Sequence, residues 1–162
     1  MKVFTDLGQW HDWRAGLGDH ALGFVPTMGA LHAGHQSLMH RSVAENAKTV
    51  LSIYLNATQF NGPKDLAAYP ATLDADLQVA EQAGVDAVLL PTYEQIYPDD
   101  VRFQVDETEL SEGLCGADRP GHFTGVLTVV MKLLNIVGAS KAYFGLKDYQ
   151  QYQLIQDMGA AF

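Results

Sequence analysis

The segment Phe24-Val25-Pro26-Thr27-Met28-Gly29-Ala30-Leu31-His32-Ala33-Gly34-His35 carries two imidazoles three residues apart, with an alanine and a glycine between them. If the turn that holds them is already helical, His32 and His35 lie on one face. Both rings can then donate hydrogen bonds to charge developing at phosphorus. Gly34 lets a backbone come close to a ligand, and the free N–H groups at the start of the following helix make an anion site suited to a nucleotide phosphate. The alternative, two packed or solvated histidines in a loop, stays open on the sequence alone. A metal centre is not expected: no third ligand at metal-binding spacing is near, the HExxH pattern is absent, and Cys115 is the only cysteine.

Other polar residues are candidates on their position. Lys147 follows Gly145 at the end of a short apolar run, where an ammonium sits close to phosphate oxygens as a mobile point charge. Asp148 either accepts from ribose hydroxyls or caps the helix that follows it. Gln59 and Gln151 offer donor and acceptor atoms suited to a small hydroxy acid, or are ordinary surface amides. His122, just after Pro120-Gly121, either packs at a helix start or belongs to a substrate loop, and the helix dipole there disfavours its cation. Met28 is a core or contact residue. Two patterns are set aside. Gly16-Leu17-Gly18-Asp19-His20-Ala21 fits a dinucleotide fingerprint but precedes the first expected strand, so no helix terminus can receive a pyrophosphate. Asp74-Ala75-Asp76 reads as acids favoured near a helix start, on its solvated face.

The elements that must position these residues alternate. Thr5 or Asp6 caps a helix with Leu7, Trp10, Trp13 and Leu17 at helical spacing. Ala21 to Pro26 reads as a buried strand, followed by the turn Thr27 to Gly34 and a helix from about His35 to Asn46. Thr49 to Leu55 is the next strand, and Leu73, Leu77 and Ala80 mark a helix closed by Gly84. Ala87 to Leu90 is a strand and Val101 to Val105 a short edge strand. Phe123 to Val137 is a long helix with Leu127, Val130, Met131 and Leu134 inward. Lys141 to Phe144 is a further strand, and the tail from Asp148 is helical. Strands joined through helices require crossovers, so the fold class is α/β: a Rossmann-like, doubly wound, mainly parallel sheet with ligands at the carboxyl ends of its strands.

The 162 residues fit one domain, 1–162, and 48% hydrophobic residues with 10% aromatics are enough for a single core. A net charge of −9 repels polyanions, which argues against nucleic acid and anionic membranes as partners. A start without a signal-like apolar stretch, and no later run near the roughly 20 apolar residues of a membrane span, point to the cytoplasm.

Five collinear segments carry a family resemblance. PTMGALHAGH (Pro26 to His35) resembles the signature of pantothenate synthetases, the pantoate–β-alanine ligases of the nucleotidylyltransferase superfamily with its HxGH element. Asn56-Ala57-Thr58-Gln59-Phe60 is similar to their Asn-Pro-Thr-Gln-Phe, and Tyr69-Pro70 to a Tyr-Pro loop. Arg119 to Val126 leads into a similar helix, and Phe144-Gly145-Leu146-Lys147-Asp148-Tyr149-Gln150-Gln151 resembles FGEKDYQQ. The resemblance implies condensation of pantoate with β-alanine through a pantoyl adenylate, with ATP and Mg2+ and a homodimer. His32, His35 and Lys147 would be catalytic; Met28, Gly34, Gly145, Lys147 and Asp148 would contact the nucleotide; Gln59, Gln151 and His122 would contact substrate. Ala57, Leu146 and Ala71 depart from the family's proline, glutamate and arginine. The sequence ends before the family's Ser-Ser-Arg-Asn segment and carboxyl-terminal lid domain, so reduced turnover is expected. A phosphopantetheine adenylyltransferase or a non-catalytic assembly module are the alternatives.

Overall fold

Alternation along the strands builds two cores. Strands β1 (Lys2–Phe4), β2 (Leu22–Thr27), β3 (Lys48–Ile53), β4 (Ala87–Leu89) and β5 (Lys141–Ala142) pair in the order β1-β4-β3-β2-β5, and all four pairings are parallel. The computed structural model describes residues 1–162. A parallel sheet needs cover on both faces, and successive side chains point to opposite faces. Leu22, Phe24, Val50, Ala87 and Leu89 therefore enter one core, while Val25, Leu51 and Val88 enter the other.

The chain has eight helices: α1 (Leu7–Gly16), α2 (Ala33–Glu45), α3 (Pro63–Ala67), α4 (Leu73–Gln82), α5 (Tyr93–Ile96), α6 (Cys115–Asp118), α7 (His122–Val137) and α8 (Tyr149–Ala161). Helices α1, α7 and α8 close the larger core with Trp10, Leu127 and Leu154; α2 and α4 close the smaller with Met39 and Ala80. Asp6 caps α1, its Oδ1 accepting the Gln9 N–H at 2.9 Å. The buried Trp10 indole N–H donates to the Ile136 carbonyl at 2.9 Å, fastening α1 to the end of α7.

Several expectations are corrected. Val101 to Val105 is not an edge strand: Asp100 and Val101 have φ of 52° and 61°, the Phe103 N–H donates to the Asp99 carboxylate and the Val105 N–H to the Thr128 hydroxyl, so those donors are not free for a ladder. The edge is held instead by β1, whose three residues are too few for a periodic signal. Helix α2 starts at Ala33, two residues early, because His32 caps it. On α7 the fully buried residues include Phe123, Val129, Leu133 and Val137, whereas Met131 and Leu134 are half-buried. Strand β5 stops at Ala142.

After β4 the chain crosses to the far side of β2 to form β5, so the loops leaving β3 and β5 flank the loop leaving β2. This is a topological switch point, where open parallel sheets bind ligands. The 3₁₀ turn after β3, Ala57–Gln59, lies directly on α7. A Cβ on Gly125 would stand 2.6 Å from the Thr58 carbonyl oxygen, so only glycine allows the approach. Gly125→Ala is expected to cost roughly 1–3 kcal/mol through overpacking, read as a lower urea midpoint with unchanged m. An unchanged midpoint would mean that the two elements separate freely.

Candidate nucleotide site

The loop leaving β2 ends in an unusual helix cap. His32 precedes α2, and its Nδ1 accepts the Gly34 N–H at 3.1 Å, while the His32 N–H donates to His35 Nδ1 at 3.3 Å. This is a capping box made from two imidazoles. Both Nδ1 atoms are acceptors, so the proton of each neutral ring resides on Nε2, the nitrogen left for a ligand. The ring centroids are 4.1 Å apart. A Cβ on Gly34 would come within 2.9 Å of His32 Cε1, so the glycine makes room for the imidazole, a different reason from the expected approach of backbone to ligand. Burial lowers the His35 pKa, and the neighbouring His32 and the Lys147 ammonium lower it further against the opposing Asp76.

The opposite wall comes from the loops after β3 and β5. Lys147, in the 3₁₀ turn Leu146–Asp148, has no carboxylate within ion-pair distance. Asp148 stands at the cap position of α8, but its side chain accepts no capping bond, which leaves the carboxylate exposed on the cleft. Gln59 Oε1 accepts from Asn56 Nδ2 at 2.9 Å, so its amide hydrogens are free. His122 has neither ring nitrogen free: Nδ1 donates to the Gln59 carbonyl at 2.8 Å and Nε2 accepts from Arg119 at 3.3 Å. Burial lowers its pKa, the bond to Gln59 opposes this, and the Arg119 charge lowers it again.

These walls enclose two adjoining compartments. One, of about 280 Å³, contains His32 and His35; the other, of about 310 Å³, contains Lys147, His122 and Arg119. Met28, Gln59, Asp148 and Gln151 line both, so the histidines and the lysine lie on two sides of a shared boundary. Gly34 and Gly145 line neither. No group of three or more His, Cys, Asp or Glu is arranged to hold a metal ion.

Sequence reasoning gave no site role to three polar residues: Asn56 and Arg119 entered only within resembling segments, and Asp76 was set aside as solvated. Asn56 is 1% exposed; its Nδ2 reaches Gln59 Oε1 and the Gly125 carbonyl, and its Oδ1 accepts from the Thr58 and Tyr97 hydroxyls. Arg119 adds a second cation beside Lys147. Asp76, expected on a solvated face, is 3% exposed, because it shares with Ala80 the face of α4 turned toward the sheet. The signal for Asn56 was its place directly after the β-forming run Thr49 to Leu55, where a buried amide must find partners.

A crevice at the switch point, opening on an imidazole-capped helix start, defines the class: the nucleotidylyltransferase type of Rossmann-like fold. The chain belongs to the pantoate–β-alanine ligase family, whose model matches residues 2–162. It is 57% identical over 161 residues to a pantothenate synthetase of Bdellovibrio bacteriovorus, covering 99% of this chain and 64% of that protein. A pantothenate synthetase of Legionella pneumophila is 52% identical over 159 residues, covering 98% of this chain and 63% of its own length. A solved pantoate–β-alanine ligase from Francisella tularensis, complexed with Beta-gamma ATP and Beta-alanine, superposes with a TM-score of 0.97 at 42% identity, over 100% of this chain and 63% of that one. The chain thus spans less than two thirds of the length of these relatives.

Two lowered histidine pKa values fix the sign of a pH effect. Unfolded histidines titrate near 6.5. With lower folded values, the unfolded state binds the extra protons as pH falls. The contribution of His35 and His122 is therefore complete above about pH 6.5 and is lost progressively as pH falls from there through the lower folded values. The melting temperature is expected to decline below pH 6.5, more shallowly in His35→Gln. Equal slopes in variant and wild type would contradict the assignment.

Proposed function

We propose that residues 1–162 form the nucleotide-binding domain of a ligase that condenses pantoate with β-alanine, using ATP, through a pantoyl adenylate. The observation that supports this reading is the lining shared by the two compartments, with His32 and His35 in one and Lys147, which has no carboxylate partner, in the other. Two imidazoles in one compartment and an ammonium in the adjoining one suit a triphosphate that spans the boundary between them.

In the first step a pantoate carboxylate oxygen attacks the α-phosphorus, the bond to the bridging oxygen breaks, and pyrophosphate leaves. His32, His35 and Lys147 stabilise the charge spread over the phosphate oxygens, and positioning supplies most of the remaining gain. Gln59, with its carbonyl held by Asn56, turns its amide hydrogens to the hydroxy acid, and Gln151, without an internal partner, offers its amide from the other side. Asp148, free of capping duty, accepts from the ribose hydroxyls. Met28 packs at the boundary, Gly34 permits the cap, and Gly145 precedes the turn that presents Lys147. His122 acts through Arg119 and the Gln59 backbone. In the second step the β-alanine amine attacks the acyl carbon, AMP leaves with the carboxyl oxygen, and the amine proton passes to solvent.

Magnesium belongs to this reading as a companion of the nucleotide. The chain offers no cluster of acidic and imidazole ligands, and a Mg2+ that keeps water and phosphate ligands needs none. That ion would neutralise phosphate charge. A homodimer in the cytoplasm is part of this proposal, supported by the family relationship. No helix is long and apolar enough to cross a membrane.

The test is exchange of labelled pyrophosphate into ATP. We expect exchange that requires pantoate, lowered roughly 10²- to 10³-fold in His32→Ala or Lys147→Ala. Exchange driven by phosphopantetheine in place of pantoate would transfer the chain to another adenylyltransferase. Absence of both exchange and calorimetric heat with ATP would make it a non-catalytic module.

A further inference from the structure

We infer that Asp76 is the positioning residue for the two-histidine cap. This rests on the assignment of His32 and His35 to the phosphates. The loop between β2 and α2 runs through two consecutive left-handed residues, Gly29 at φ 86° and Ala30 at φ 52°. Alanine disfavours that region, so the loop must be held from outside. Asp76 Oδ2 accepts the Ala30 N–H at 2.9 Å and Oδ1 the Leu31 N–H at 2.8 Å, and the Thr72 hydroxyl donates to Oδ2 at 3.0 Å.

The carboxylate has no cationic partner within ion-pair distance and is 3% exposed, so the loop amides and one hydroxyl are what satisfy it. A buried acid in that condition has its geometry dictated by the donors, and the donors by it. The two anchored N–H groups lie immediately before His32, whose own N–H donates to His35 Nδ1. Weaker bonds assist: the Gly29 N–H donates to Thr27 Oγ1 and the Tyr69 hydroxyl to the Gly29 carbonyl, both at 3.3 Å. Asp76 thus fixes the direction of the His32 N–H, which fixes the Nε2–H tautomer of His35 and the separation of the two rings. An asparagine of the same shape would turn an amide group toward one of these N–H donors, and one anchor would be lost.

The experiment is Asp76→Asn in the full chain, read by imidazole ¹⁵N shifts and by pantoate-dependent exchange. In the wild type, His32 and His35 should hold the Nε2–H tautomer. In the variant their Nδ1 signals should move toward a tautomer mixture, while the other four of the six histidines stay fixed. Exchange kcat should fall about 10- to 100-fold with KM for ATP within about twofold. If Asp76→Asn does not fold, Thr72→Val, which removes one donor to the same carboxylate, should give a smaller shift of the same sign. Unchanged His32 and His35 signals in a folded Asp76→Asn overturn the inference, as do unchanged signals in Thr72→Val. Shifted signals without exchange in the wild type support the positioning role and refute the proposed function.

Discussion

A helix has to begin somewhere, and the first turn of α2 begins on two imidazoles that accept from the backbone. The Gly34 N–H and the His32 N–H are the donors, and each takes a ring Nδ1. Most helices satisfy these groups with a serine, threonine or aspartate. Using histidines has a chemical consequence, because one bond both satisfies the helix and selects the nitrogen that carries the proton. The outward nitrogens become donors because the backbone N–H groups occupy the inward ones.

The rest of the cleft is arranged on the same principle. Asn56 spends all its hydrogen-bonding capacity inside the protein, and in doing so orients Gln59 and ties the turn after β3 to α7 and Tyr97. Gln150 donates to the Leu110 and Gly113 carbonyls and accepts from the Cys115 N–H, fixing the segment before α6 against α8. Residues with saturated partners form the frame. Asp148 and Gln151, without internal partners, lie at the shared boundary, and Lys147 lines the compartment beside it. Sheet topology brings the two sets together, since β2 lies between β3 and β5 and each strand releases its loop at the same edge.

Sequence pattern carried the layered α/β architecture, because Leu22, Phe24, Val50 and the apolar face of α7 obey simple periods. It failed where length or partners decide. Strand β1 has only three residues, and its existence depends on register with β4. The segment 101–105 has strand composition, but side chains from Asp99 and Thr128 take its amides. At the site, motif and resemblance drew attention to residues that end with free polar atoms, such as Lys147 and Gln151. They set Asp76 on a solvated face and left the internal partners of both His122 ring nitrogens unseen, since the number of partners of a buried polar group is a property of the tertiary neighbourhood. The pair Gly34 and His32 was noticed for its chemistry, while its steric relation became visible only with the cap geometry.

The account stands on convergence of imidazole and ammonium donors around one polyphosphate. A crystal structure with an α,β-methylene analogue of ATP tests this directly. The analogue's phosphate oxygens should lie about 2.7–3.2 Å from Nε2 of His32 or His35 and from Lys147 Nζ at once. A nucleotide bound with its phosphates turned away from α2, or held by Lys147 while both imidazoles stay unpaired, would contradict it.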